Sequence, residues 1–164
     1  MHRSLASSAS QLSARPGARS VQIAAAVAAA LLGVISVFQV LLALGVPWGS
    51  AAYGGGAAGA DGVLPSGLRV ASAIAAVILG LAAWVTLARA DLTPRGPLSA
   101  RLVRWASWVI AAFMVLNTLS NLSSSNPVER WVLGGTTVVL VFLCGYVALR
   151  AAPDHASSGR DSAR

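Results

Sequence analysis

The sequence predicts an all-α integral membrane protein, a bundle of four transmembrane helices with both termini in the cytoplasm. Three observations lead there. The 164-residue chain is 56% hydrophobic and 10% charged, whereas a soluble domain usually carries about 25% charged residues. Four long stretches, 20–60, 70–88, 105–128 and 131–149, contain no Asp, Glu, Lys or Arg. A bilayer core about 30 Å thick needs about 20 apolar residues per helix, and each stretch can supply them. Finally, the charges between these stretches alternate in a way that gives one consistent threading.

The first helix is expected over 21–46. Pro47, which lacks an N–H, stops it, and Gly49 follows. Arg15 and Arg19 before an apolar run also suit a cleaved signal peptide, but the apolar part of a signal is only about 7–15 residues long. This run exceeds that, so an uncleaved anchor is expected. The second helix is expected over 68–88, with Ser66 as a candidate N-cap. The third spans 102–122 and the fourth 131–149. The flanking tails, 1–20 and 150–164, are rich in Ser, Ala and Arg without apolar periodicity. They cannot bury enough surface to offset ordering entropy, so disorder is expected there. The segment 47–67 reads as a flexible surface loop. Its Gly54–Gly56 run lacks the Lys-Ser/Thr ending of a phosphate cradle.

Orientation follows from arginine. All 12 basic residues are Arg, and basic residues in short loops face the cytoplasm. Arg3, Arg15, Arg19, Arg89, Arg95, Arg101, Arg104, Arg150, Arg160 and Arg164 fall on one face, against Arg69 and Arg130 on the other. Tryptophan favours the headgroup level. Trp48 and Trp131 would anchor the outer boundary, and Trp84, Trp105 and Trp108 the inner one.

Helices in lipid associate largely by close packing of small residues. Ala25, Ala29 and Gly33 form one such stripe on the first helix. Ser72, Ala76 and Gly80 form another on the second, and the two are expected to meet. Gln39, Asn117 and Asn121 lie in the outer halves of their helices, Asn117 and Asn121 one turn apart on one face. Together with Arg69 and Glu129 they make a candidate outer-face polar site. Either they line a pocket or they are interhelical glue, worth about 0.6 kcal/mol per hydrogen bond. Arg69 and Glu129, each at a helix start, could pair with one another. Alternatively, Arg69 could clamp an anionic ligand.

Several chemistries are argued against. Cys144 is the single cysteine, and His2 and His155 lie in the tails, so no thiol pair, metal ligand set or haem is expected. Proton-coupled transport usually needs an ionisable group inside the membrane, and no predicted helix interior carries one. The net charge of +7 reflects arginines flanking apolar segments. With no basic and aromatic single-strand platform, nucleic acid is not an expected partner.

The segments Gly45-Val46-Pro47-Trp48-Gly49, Tyr53-Gly54-Gly55, Leu64-Pro65-Ser66-Gly67-Leu68-Arg69, Asn117-Thr118-Leu119-Ser120-Asn121 and Glu129-Arg130 resemble a family of small bacterial integral membrane proteins common in actinobacteria. The resemblance covers about residues 41–149, and the chain departs from it in the extended Gly/Ala loop between Tyr53 and Val63. It implies a four-helix protein of the bacterial inner membrane whose distinctive residues cluster near the outer face, and no substrate or reaction. The expected function is therefore non-enzymatic: a structural or accessory plasma-membrane protein, without catalytic residues, metal or cofactor. It would meet the lipid bilayer and a protein partner or lipid through its outer face. The alternative is a dimeric carrier or channel for a small neutral or weakly polar solute.

Overall fold

A computed structural model describes residues 16–151. They form four helices, α1 (Pro16–Leu44), α2 (Ser66–Arg89), α3 (Ala100–Ser123) and α4 (Gly134–Arg150), with no strand among the described residues. A π-helical turn, Val128–Leu133, runs directly into α4. All four spans are long and apolar enough to cross a membrane. Consecutive helices run antiparallel, so the bundle has one end carrying the α1–α2 and α3–α4 connections (the loop end) and one carrying both termini.

The helix boundaries differ from the sequence expectation for identifiable reasons. α1 is already helical at Pro16, the first described residue, so residues 16–20, expected in a disordered tail, are helical. Arg150, also expected in a tail, ends α4, and Ala151 is buried against α1; the rest of both expected tails lies outside the described residues. At its other end α1 stops at Leu44 rather than Val46. Gly45, at φ +92°, and Val46 donate N–H bonds to the carbonyls of Leu42 and Leu41, the paired closure of a Schellman motif. Glycine thus ends the helix before proline can. α2 starts at Ser66, which lies inside the helix rather than capping it; Pro65 occupies the cap. Ser99 does cap α3, accepting from the Leu102 N–H.

Each helix contributes two residues to the central core: Ala28 and Leu32, Leu79 and Ala82, Ala111 and Met114, Leu140 and Cys144. Against lipid there is no hydrophobic gain in this contact, so van der Waals packing holds it, and the alanines let the helices approach. α1 packs most extensively on α2, and α3 on α4, whereas α2 and α3 touch least among the neighbouring pairs. Their contact is concentrated at the terminal end, where Val85, Ala88 and Val103 cluster with Trp84, Leu98 and Ala106.

Two hydrogen bonds set the α1–α2 register. Ser36 Oγ donates to the Ala76 carbonyl at 2.8 Å, and Arg69 Nε donates to the Ala43 carbonyl at 2.9 Å. Ala76 therefore lies beside Ser36, and the two predicted small-residue stripes do not run along each other. Ala25 packs instead with Ala90, Val147 and Ala151, and a side-chain carbon added at Gly33 or Gly80 would meet nothing within 4 Å. The helix propensity of alanine and glycine spacing alone could not reveal this, because register is set by polar side chains reaching across. Trp105, Trp108 and Trp131 are exposed on the outside of the bundle. Trp84 is half-buried against the α2–α3 cluster, and Trp48 stacks on Phe38 with ring centroids 6.3 Å apart.

Candidate functional site

Where α2 and α3 separate at the loop end, the bundle encloses a cavity of about 610 Å³. Gln39 and Phe38 reach it from α1, Ile74 and Ile78 from α2, Asn117 and Asn121 from α3, and Thr137 from α4. Met114 and Leu79 form its floor on the central core. Ile74, Ile78 and Phe113 line it while also being exposed on the exterior. The opening is therefore a side portal between α2 and α3, facing where lipid would lie.

A cap covers the cavity. Residues 47–65, expected as a flexible surface loop, fold into successive turns. Ala52 and Leu64 are buried with Leu42, the Gly49 N–H bonds the Gly62 carbonyl at 2.9 Å, and the Val63 N–H bonds Asp61 Oδ1 at 3.0 Å. Tyr53 has the left-handed φ of +52°, which is uncommon for any residue but glycine and costs energy that its surroundings must supply. Its hydroxyl meets Ser72 Oγ at 3.0 Å. Next to it, the Gly54 N–H donates to both oxygens of Glu129, at 3.0 and 2.9 Å.

Glu129 is buried, and the π-helical turn that carries it aims it back across the bundle. Ser124 Oγ donates to its Oε2. Asn126 fastens the same corner. Its Nδ2 donates to the Ser50 carbonyl, and its Oδ1 accepts from the Val128 N–H at 2.9 Å, an Asx turn. The cap is thus tied to the start of the fourth span through two side chains.

The expected pairing of Arg69 with Glu129 does not form. Arg69 lies over Gly45, whose added side-chain carbon would sit 3.3 Å from Arg69 Cζ, and its Nε is taken by the Ala43 carbonyl. It does not line the cavity, and neither does Arg130, which bonds the Leu122 carbonyl at 3.1 Å. Within the described residues the ion pair found is Arg95–Asp91, at 2.9 Å in the α2–α3 loop.

Of the predicted polar site, then, Gln39, Asn117, Asn121 and Glu129 converge on one cavity, and Arg69 stands apart. The three amides do not serve as interhelical glue. Among the described residues their side chains make no hydrogen bond, and Gln39 Oε1 is a buried acceptor without a partner. Sequence reasoning missed Tyr53, Gly54, Ser124 and Asn126. The Ser-Ser-Asn-Pro run before the fourth span carried a local signal, since such residues bond their own backbone in turns.

No group of His, Cys, Asp and Glu among the described residues could hold a metal ion. No family model, curated protein or solved structure matches the chain.

Proposed function

We propose that this chain is a multi-pass protein of a bacterial plasma membrane, with both termini cytoplasmic, acting as an accessory protein that holds a membrane lipid at its outer end. The observation that carries the reading is the cavity at the loop end, apolar at its floor and portal, polar at its rim, and open sideways between α2 and α3. A site entered from the bilayer suits a ligand already dissolved there. The cavity also ends on the packed central core, which separates it from the other end of the bundle. That favours binding over a carrier or channel role, and nothing in the site supports an enzymatic one.

Native mass spectrometry of the chain gently extracted from its own membrane should show a retained lipid at one per chain. Ile78→Trp, which fills the portal, should reduce that occupancy severalfold without lowering thermal stability. If extracted protein carries no lipid and Ile78→Trp changes nothing, the reading is wrong. The arginine distribution supports the orientation. A cysteine placed at Ala60 in the cap should react with a membrane-impermeant maleimide on intact cells. One at Pro97, in the α2–α3 loop, should react only after permeabilisation.

A further inference from the structure

Resting on that lipid-binding reading, we infer the headgroup class: the cavity takes an uncharged amphiphile bearing a hydroxyl or amide, and it rejects anionic and ammonium headgroups. The argument is one of complementarity. A carboxamide presents a carbonyl acceptor and two N–H donors; three of them, on Gln39, Asn117 and Asn121, line this cavity, and the acceptor oxygen of Gln39 is buried there without a hydrogen-bond partner. Buried polar groups left unbonded are costly, so the ligand that fits is the one that satisfies both kinds of group. A phosphate dianion or an ionised carboxylate offers acceptors only. It would leave Gln39 Oε1 unpartnered and would bring a second negative charge beside Glu129, in a lining that contains no Arg. The two nearby arginines are committed elsewhere, Arg69 to Ala43 and Arg130 to Leu122.

An ammonium fails for the opposite reason. It offers donors only, so the amide N–H groups of Asn117 and Asn121 would stay unpaired. Glu129 gives it little in return, because its oxygens already accept from Gly54 and Ser124. A hydroxyl donates to Gln39 Oε1 and accepts from the Asn amides. The apolar portion would leave through the portal, past Ile74, Ile78 and Phe113, into the bilayer.

The test uses the full chain in detergent micelles and native mass spectrometry. Three lipids share the same two acyl chains: a diacylglycerol, the corresponding phosphatidic acid, and a diacyl lipid with a primary ammonium. The diacylglycerol should bind one per chain, at least about tenfold more tightly than either charged lipid, as expected when a hydrogen bond to a buried group is at stake. Asn117→Leu should remove most of that preference. Equal binding of all three lipids by the unsubstituted protein overturns the headgroup assignment but leaves lipid binding intact, and tighter binding of a charged lipid does the same. Absence of binding by any of them, with Ile78→Trp also silent, overturns the lipid reading itself. Since the lipid comparison needs no substitution, a folding defect in Asn117→Leu cannot decide the outcome.

Discussion

Replacing Glu129 by Ala should cost about 3 kcal/mol and lower the melting temperature by roughly 6–12 °C. The carboxylate is buried and receives the Gly54 N–H and the Ser124 hydroxyl. Hydrogen bonds to charged groups contribute more than neutral ones, and removing one partner leaves the other's desolvation uncompensated. Alanine would strand a backbone N–H and a hydroxyl at once, in a corner where no other charged side chain bonds them. Glu129→Gln keeps one acceptor oxygen and should lose about half as much. Thermal unfolding in detergent, followed by circular dichroism, measures both. A melting point for Glu129→Ala within about 1 °C of the unsubstituted protein would mean that Glu129 does not hold the cap. Tyr53→Phe, by contrast, removes only the contact of its hydroxyl with Ser72 and should cost about 1 kcal/mol.

Why the four spans were readable and this corner was not comes down to which forces write themselves into sequence locally. A bilayer demands about 20 apolar residues in a row, and that demand appears as long charge-free runs bounded by arginine. The same logic placed Gln39, Asn117 and Asn121 at one end of the bundle, close enough in depth for the fold to bring them to one cavity. Arg69 shows the limit. Its charge and its place at a helix start suggested Glu129, yet a long side chain chooses among all acceptors in reach, and the carbonyls of a helix end are left free by the helix itself. The Ala43 carbonyl, next to the Gly45 closure, was nearer. The cap escaped notice for a different reason. Between Gly49 and Val63 the chain has almost no apolar pattern, so its fold depends on positive φ values and on side chains from the fourth span, neither of which shows up as periodicity. From sequence Glu129 stands at the start of a regular helix, whereas the π-helical turn that carries it changes which way its side chain points.

The cap gives the second large effect. Gly55→Ala should destabilise by about 2–4 kcal/mol, combining left-handed backbone strain with overpacking, while Gly56→Ala should stay within about 0.5 kcal/mol. The two glycines are neighbours in the same loop, yet their surroundings differ. Gly55 has φ +80°, and a side-chain carbon there would sit 2.8 Å from Asn126 Nδ2 and 3.2 Å from the Ser50 carbonyl oxygen, whereas at Gly56 nothing lies within 4 Å. The crowding atoms at Gly55 are the donor and acceptor that fasten the cap to the fourth span. Alanine therefore strains the backbone and wedges that hydrogen bond apart. Part of the penalty should vanish in an Asn126→Ala background, by about 1 kcal/mol in a double-mutant cycle, because the wedge then has nothing to displace. The strain at φ +80° should remain. If the cap closes the cavity as its position implies, Gly55→Ala should also speed exchange of a bound lipid. It does so without altering Gln39, Asn117 or Asn121, so the preference among headgroups should persist while residence time falls. Equal melting temperatures for the two alanine variants would place the cap's stability somewhere other than the Ser50–Asn126 contact.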